Sequence, residues 1–287
     1  MSVAIGVLLA LIALVAWGLG DFLIQRTTRL VGSAKALFFI GVVAFVVLFP
    51  FVLHELPHLT FANYLLLGTL SLAVIFGAAF DFEALRTGKM AAVEPVVGLE
   101  LPMTVILSVI FVGEHLTGHQ LFWMLLVFIG TGLTVTKSIS HLSQAFEKGV
   151  WLAFLAAIGT ALTSLLVGMS SQEISPLVSI WFSHGTLALV SGLYILRSGQ
   201  MRSVIQDIRS HPVTIGCQSV FDNLAWIAFA IAATLIPISI ATTISGGYVA
   251  LGVLLGIFVS RERVRGHQAF GIALVSIGII ALSYYFS

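Results

Sequence analysis

Long apolar runs, broken by short polar segments, constrain this chain more than any other feature of its sequence. Ten such runs occur, at residues 3–24, 36–53, 62–85, 90–112, 120–136, 150–169, 176–196, 213–235, 238–259 and 267–285. A helix needs ~20 mostly apolar residues to cross a bilayer, and little of the chain lies between the runs. The sequence therefore predicts an all-α integral membrane protein with ten transmembrane helices.

Composition excludes the soluble classes of protein. Of the 287 residues, 59% are hydrophobic and 9% are charged, whereas a typical soluble domain has ~25% charged residues. The net charge of +1 provides no basic patch for a phosphate backbone, so no nucleic-acid partner is expected. Cys217 is the only cysteine, which excludes an internal disulfide and a cysteine-rich metal site. The expected surroundings are a lipid bilayer.

The positive charges indicate an orientation in the membrane. All 13 Lys and Arg residues lie in or beside the first, third, fifth, seventh and ninth connections between the runs. The other four connections contain acids and histidines instead, such as Glu55, His58 and Glu173. Because basic connections stay in the cytoplasm, we predict that both termini lie outside. We expect the membrane to be a prokaryotic cytoplasmic membrane.

An internal repeat divides the chain into two halves. At a constant offset of 148 positions, Glu114, Gly118, His119, Gln120 and Gly130 match Glu262, Gly266, His267, Gln268 and Gly278. Five runs in each half is an odd number, so the second half is predicted to cross the membrane upside down. Inverted repeats are typical of transporters, with the substrate site between the halves. We predict five-helix repeats at residues 1–140 and 150–287, joined by a loop at 141–149.

Three stretches of the sequence resemble the drug/metabolite transporter superfamily, EamA type. They are AWGLGDF at 16–22, the Leu99-Glu100, Pro102 and FVGE (111–114) series, and the glycine turns at Gly118 and Gly266. The resemblance implies a carrier with ten helices around a central cavity, which moves small organic metabolites or drugs, with efflux favoured. It also implies cytoplasmic termini, whereas the charges indicate the reverse, and we follow the charges.

Acidic residues within the apolar runs are the main functional candidates. A charge inside a bilayer costs ~2.5–3.5 kcal/mol even on lenient insertion scales, so such a side chain should face the bundle interior. No Lys or Arg lies well inside any run. The acids are therefore protonated, solvated or paired with a cationic ligand. They are Asp21, Asp81, Glu83, Glu94, Glu100 and Asp222.

Asp222 and Glu100 lie near the centres of their runs. Gln218, Asp222 and Trp226 are spaced by four residues, so a helix places them on one face. Burial disfavours the charged form of a carboxylate, which favours proton exchange at Asp222. The alternative is a carboxylic acid bonded to a neighbouring helix. Pro102 predicts a kink beside Glu100, which would then line a cavity or bond across a helix interface.

The remaining acids lie closer to the ends of their runs. Asp21 is predicted either to exchange protons or to anchor the cytoplasmic end against Arg26 or Arg29. Asp81 and Glu83 are predicted to form a solvated interfacial cluster or a salt bridge with Arg86 and Lys89, and Glu94 lies near the same end. Glu114 and Glu262, at matching positions of the repeat, are predicted to cap or orient the helix that follows each of them, which is a structural role.

Other polar residues have two interpretations each. His184, three residues after Trp181, is a hydrogen-bonded structural residue or a ligand of the substrate. Ser239, Thr242, Thr243 and Gly246 share one helix face, which either lines the cavity or packs against another helix. We see no zinc-protease motif, P-loop or nucleophile motif in the sequence, so no enzyme, metal or cofactor is predicted.

Together these residues predict a secondary carrier. The cavity is expected to be lined by Trp17, Glu100, His184, Asp222, Trp226 and Tyr248. An acidic, aromatic cavity suits an amine-bearing solute that is cationic or zwitterionic. The candidates for proton coupling are Asp222, Glu100 and Asp21. The alternative is a channel-like or carrier path for inorganic cations. The expected partners are this small molecule, protons and lipid, and the protein is predicted to be a monomer or a homodimer.

Overall fold

The structure, a computed structural model, describes residues 2–87, 93, 96–135, 148–251 and 265–286. These residues are almost entirely helical and contain no β-strand. The helices are α1 (Ser2–Val31), α2 (Ser33–Val52), α3 (Phe61–Thr87), α4 (Glu100–Leu107), α5 (Gly118–Val135), α6 (Lys148–Glu173), α7 (Pro176–Arg197), α8 (Met201–Ser210), α9 (Pro212–Leu235), α10 (Ile238–Ser245) and α11 (Gly266–Phe286). A 3-10 turn at Leu56–His58 and a π turn at Ser108–Val112 complete the list.

Seven of these helices are long and apolar enough to cross a membrane, namely α1, α2, α3, α6, α7, α9 and α11. Three shorter apolar helices, at Glu100–Val112, Gly118–Thr134 and Ile238–Leu251, correspond to the fourth, fifth and ninth predicted runs. The fourth, fifth and ninth runs each extend into residues outside the described part of the chain. The all-α membrane class is therefore confirmed, and the number of ten spans stays a prediction.

The packing of the helices is reciprocal between the two halves. The most extensive helix contacts are those of α1 with α9, α3 with α6, α2 with α7 and α5 with α11. The repeat equates α1 with α6, α2 with α7, α3 with α9 and α5 with α11. If the two halves are exchanged, the α1–α9 contact therefore becomes the α6–α3 contact. The α2–α7 and α5–α11 contacts each join two equivalent helices, so the exchange leaves them unchanged. This is the contact pattern that a two-fold relation between the halves requires.

Two pairs of glycines let helices from opposite halves approach closely. A Cβ atom on Gly77 of α3 would lie 2.9 Å from the backbone of Gly159 in α6. A Cβ atom on Gly130 of α5 would lie 2.8 Å from the carbonyl oxygen of Gly271 in α11. Both distances are shorter than a real side chain tolerates, so these helix crossings depend on glycine.

Glu114 joins the halves at the end of the bundle that bears the acidic connections, called the acidic end below. Its carboxylate accepts hydrogen bonds from the backbone N–H groups of Ile238, at 2.5 Å, and Ser239, at 3.1 Å. The first N–H groups of a helix have no partner within it, and Pro237 offers no side-chain acceptor. Glu114 thus caps α10 in the other half. The prediction that it caps the following helix is wrong; Glu262 lies outside the described residues.

Candidate functional site

A cavity of about 100 Å³ lies at the centre of the bundle, where both halves contribute side chains. Every residue predicted to bind substrate or protons lines it: Trp17, Asp21, Glu100, His184, Asp222, Trp226 and Tyr248. These residues come from both halves of the chain. The structure therefore brings the candidates together in one place, while their roles stay predictions.

Aromatic rings close one side of the cavity. We define the aromatic cluster as Trp17, Trp226, Phe229 and Tyr248. The ring centroids of Trp17 and Trp226 lie 5.0 Å apart in an edge-to-face arrangement, and Phe229 and Tyr248 lie 5.7 and 6.0 Å from Trp17. Such edge-to-face pairs are favourable because the positive ring edge meets a negative ring face. Phe229 was not among the candidates, because nothing in the sequence separates it from other apolar residues.

Carboxyl groups occupy the other side of the cavity. We define the carboxyl layer as Asp21, Asp81 and Asp222, which all line the cavity. Asp81 of α3 and Asp222 of α9 thus come from different halves of the chain and reach the same cavity. Among the described residues that line the cavity, none is Lys or Arg. The layer therefore concentrates negative charge, or protons, in a largely apolar region.

Asp81 was predicted to lie in a solvated cluster at a helix end, and that prediction is wrong. Glu83 and Arg86 do form the expected ion pair, with two contacts of 2.6 and 2.8 Å. Asp81 instead shares the inner face of α3 with Val74, Ala78 and Leu85. This face follows the helical spacing of three and four residues, so periodicity was the signal that identifies Asp81. Lys89 and Glu94 lie outside the described residues.

Glu100 is buried at the start of α4, and its Oε1 accepts a hydrogen bond from the hydroxyl of Tyr248 at 3.3 Å. This bond joins the two halves across the cavity. The kink predicted from Pro102 corresponds to an interruption of the helix, because a turn at Gly98–Leu99 separates the helical residues 96–97 from α4, which begins at Glu100. Pro102 therefore lies in the first turn, where its missing N–H would have had no partner in the helix.

The hydrogen bond of His184 identifies the tautomer of its ring. The ring Nδ1 lies 2.8 Å from Oδ1 of Asn223. The Nδ2 group of Asn223 donates to the carbonyl oxygens of Ile40 and Ser219, at 3.0 and 2.7 Å, which leaves Oδ1 as an acceptor. The proton of this bond therefore belongs to Nδ1 of His184. In a neutral ring, Nε2 is then a hydrogen-bond acceptor at the edge of the cavity.

Two side chains of α9 hold α2 in place. Gln218 donates to the carbonyl oxygen of Ala36 at 3.2 Å, one turn away from the Ile40 carbonyl that Asn223 binds. Gln218 is completely buried in this contact and does not line the cavity. Of the three residues predicted to share one helix face, only Asp222 and Trp226 therefore line the cavity. Asn223 was missed because its neighbour Asp222 gave the stronger signal.

Hydroxyl groups add polar atoms to the cavity wall. Thr242, Ser245 and the backbone at Gly246 line the cavity, whereas Ser239 and Thr243 bond to one another within α10. Both interpretations of this face are therefore correct for different residues. The hydroxyl of Thr242 is buried and has no hydrogen-bond partner in the described part of the chain. Thr160, Thr163 and Ser164 of α6 also line the cavity.

A second, larger cavity of about 520 Å³ opens at the end of the bundle that bears the basic connections, called the basic end below. It lies between α2, α3 and α7, and its polar walls include Ser33, Lys35 and Arg86. Leu37 and Leu187 line both cavities and are only 6% and 3% exposed. These two leucines thus separate the central cavity from this vestibule.

The described residues offer no candidate metal centre, because no group of three or more His, Cys, Asp or Glu side chains in them has a suitable arrangement. The wall of the central cavity instead contains carboxyl groups, aromatic ring faces and a few hydrogen-bonding atoms. Carboxylates and ring faces can bind an organic cation, by charge and by cation–π contact, and carboxyl groups can exchange protons.

Comparisons with known proteins agree with this architecture. The model of the EamA-like transporter family matches residues 4–136 and again residues 147–284. One solved crystal structure is similar over 98% of this chain and 98% of its own length, with a TM-score of 0.74 and 15% sequence identity. A likeness at that identity shows the fold. No curated protein matches the chain.

Proposed function

The chain belongs to the EamA-like transporter family, and on that premise we propose that it is a secondary carrier for a small amine-bearing solute. The solute is cationic or zwitterionic, and it binds in the central cavity between the aromatic cluster and the carboxyl layer. The two halves, at 1–140 and 150–287, rock about this site in alternating access, and all ten predicted runs cross the membrane.

The carboxyl layer is the observation that carries this proposal. Asp81 and Asp222 line the same cavity, and no Lys or Arg lies among the described residues of its wall. Two ionised carboxylates in such a cavity repel one another. Charges that are buried without a partner are very unfavourable. An ammonium group placed between the two carboxylates removes both the repulsion and the lack of a counter-charge. An anion would increase the repulsion.

The aromatic cluster adds selectivity for organic cations. An ammonium group within about 6 Å of a ring face gains ~0.5–2 kcal/mol from the ring quadrupole. Trp17 and Trp226 lie one helical turn from Asp21 and Asp222, respectively. A solute that reaches the carboxyl layer therefore contacts the rings as well. Inorganic cations gain less from these rings because they retain a hydration shell.

The size of the cavity favours a small solute. Pockets for drug-sized ligands have volumes of ~300–1,000 Å³, whereas the central cavity measures about 100 Å³. An amino-acid-like or simple amine is closer to this volume than a drug. Nε2 of His184 accepts a hydrogen bond from such a solute. The hydroxyl of Thr242 donates one to the carboxylate of a zwitterion.

Competition between protons and solute provides the coupling. Two adjacent carboxylates are stabilised either by a bound ammonium group or by protons, since both remove the mutual repulsion. When one ammonium leaves the layer, one proton takes its place, and the total charge of the site is conserved. Asp222 and Asp81 carry this exchange together with Asp21. Glu100, which is bonded to Tyr248 of the aromatic cluster, is a further candidate for proton exchange.

The inward proton gradient, rather than the orientation, drives solute outward in the proposed exchange. If the basic connections are cytoplasmic, as the positive-inside rule indicates, the vestibule faces the cytoplasm and solute enters past Leu37 and Leu187. Protons enter from outside and leave through the same site, which makes efflux the favoured direction. Both termini then lie outside.

Counterflow in proteoliposomes tests the proposal. Vesicles are loaded with an unlabelled amine, and the uptake of the same labelled amine is compared with that of a neutral and an anionic solute. A carrier gives saturable uptake above equilibrium for the amine only. Flux at ion-channel rates without counterflow would support the alternative, a path for inorganic cations. Counterflow of the anion alone would contradict the carboxyl layer as the binding site.

A further inference from the structure

We propose that α8 lies in the membrane interface at the basic end and binds the anionic headgroups of phospholipids there. The inference concerns the surface of the protein and does not depend on which solute the cavity takes. It rests on the position of α8 in the chain, on the three different sides of this helix, and on the charges along one of those sides.

The position of α8 fixes its level relative to the membrane. Three residues separate it from the end of α7 at Arg197, and one residue, His211, separates it from α9. Gly199, with φ +69°, makes the turn out of α7. A helix of ten residues is ~15 Å long and does not cross the ~30 Å core of a bilayer. It therefore lies where two membrane-spanning helices end.

One side of α8 is attached to the bundle. Val204 is buried against a small apolar cluster that includes Phe39 and Ile215. Lys35 of α2 makes an ion pair with Asp207 at 2.5 Å and donates a hydrogen bond to Ser203 at 3.1 Å. These contacts fix the rotation of α8 about its own axis, so the directions of its other side chains are determined.

A second side of α8 is apolar and uncovered. Met201, Ile205 and Ile208 share this side and are 40%, 59% and 45% exposed. Exposed apolar side chains at one helical face are unfavourable in water, but they are favourable when the helix lies flat in the headgroup region with this face toward the acyl chains. Since the adjoining α7 and α9 span the membrane, the bilayer is the surface that covers this face.

The third side of α8 is basic and polar. Arg202 and Arg209 are exposed, and at about 100° per residue they lie on the flank of the apolar face that points away from the bundle. Gln206 lies further round, toward water. Asp207 is neutralised by Lys35, so the two arginines are the charges that α8 presents. A basic flank beside an apolar face is the arrangement that attracts anionic lipid.

Nitroxide scanning tests the position of α8 in the bilayer. Ile205→Cys and Gln206→Cys, each in a Cys217→Ser background, are spin-labelled and compared in nanodiscs of zwitterionic and of mixed zwitterionic and anionic phospholipid. We expect the label at 205 to be accessible to oxygen and shielded from a water-soluble nickel reagent, and the label at 206 to show the reverse. Equal accessibility of the two labels to the nickel reagent would overturn the proposal.

The headgroup contact has its own test. Phosphatidylglycerol retained by the purified protein is measured by native mass spectrometry for the wild type, Arg202→Gln, Arg209→Gln and the control Arg29→Gln, an exposed arginine at the end of α1. A basic residue near an anionic surface contributes enough for a loss of about fivefold in lipid affinity per arginine. Equal losses in Arg29→Gln and the α8 variants, or no loss in any, would contradict a lipid contact at α8.

Discussion

The two sides of the central cavity differ in chemistry although the same two helices build them. Toward the acidic end, Trp17 and Trp226 pack edge to face, with ring centroids 5.0 Å apart. Toward the basic end, Asp21 and Asp222 line the wall with Asp81. In α1 the tryptophan precedes the aspartate by four residues, and in α9 it follows by four. Because α1 and α9 run antiparallel, the two tryptophans lie at one level of the bundle, in the aromatic cluster. The two aspartates lie one turn away from them, in the carboxyl layer.

In the function proposed here, the two layers have different tasks. The carboxyl layer, on the side of the vestibule, would discriminate by charge and exchange protons. The aromatic cluster, on the side toward the acidic end where Glu114 ties the halves together, would bind the ammonium group by its ring faces. Four variants test whether the two regions have these separate tasks.

The largest effect is expected for Asp222→Asn. Removing the charge removes a charge-assisted contact worth ~1.5–3 kcal/mol, so amine counterflow should fall on the order of 10–100-fold. Counterflow in proteoliposomes measures this loss, and Glu173→Gln, at an exposed acid of the acidic end, is the matched control. If the two variants transport equally well, charge recognition does not reside in the carboxyl layer.

A nearly equal effect is expected for Asp81→Asn, with Glu83→Gln on the same helix as its control. Asp81 lines the cavity, whereas Glu83 is paired with Arg86 at the rim. We expect a loss on the order of tenfold for Asp81→Asn and less than about twofold for Glu83→Gln, since exposed ion pairs contribute little. The reverse order of losses would place the functional charge at the helix end, as the sequence suggested.

A smaller effect is expected at the aromatic cluster. Trp226→Leu removes a ring face worth ~0.5–2 kcal/mol to a bound ammonium, which predicts a KM about 2–30-fold higher. Trp226→Phe keeps a ring and should recover part of the affinity, and Trp151→Leu, at an exposed tryptophan, should change nothing. Equal KM values for the Leu and Phe variants would mean that Trp226 fills space rather than binds charge.

The smallest effect on transport is expected for Glu114→Gln, which should instead reduce stability. The amide oxygen replaces only part of a bidentate cap on α10, and lost caps cost ~1 kcal/mol. For a chain of this size, that corresponds to a Tm about 2–4 °C lower. Thermal unfolding in detergent measures the shift, with Glu173→Gln as control. Unchanged stability combined with strongly impaired transport would contradict the purely structural role.

Intramembrane polar residues were predictable because they are too unfavourable to face lipid. That rule identified Asp21, Glu100 and Asp222, which all line the cavity. The helical spacing of four residues then placed Trp226 on the face of Asp222. The long apolar runs likewise predicted the all-α class, and the short motifs predicted the family. Each of these inferences used information that is local in the sequence.

Features that depend on distant pairing were not predictable. Glu114 caps Ile238 and Ser239, which follow it in the sequence by 124 and 125 positions. No local pattern indicates which helix N-terminus lies beside it. Asn223 orients His184 across 39 positions, a contact that only the packing of α7 on α9 creates. Asp81 was misjudged because charged neighbours obscured a helical periodicity that points inward.

The most direct test of the carboxyl layer is proton movement driven by a cation that carries no proton itself. Proteoliposomes containing a pH-sensitive dye receive a quaternary ammonium compound, with the membrane potential clamped, for the wild type, Asp222→Asn and Glu173→Gln. We predict a saturable change in internal pH for the wild type and Glu173→Gln, and none for Asp222→Asn. Cation uptake without proton movement, or the same proton movement in Asp222→Asn, would contradict the exchange of protons and amines at one site.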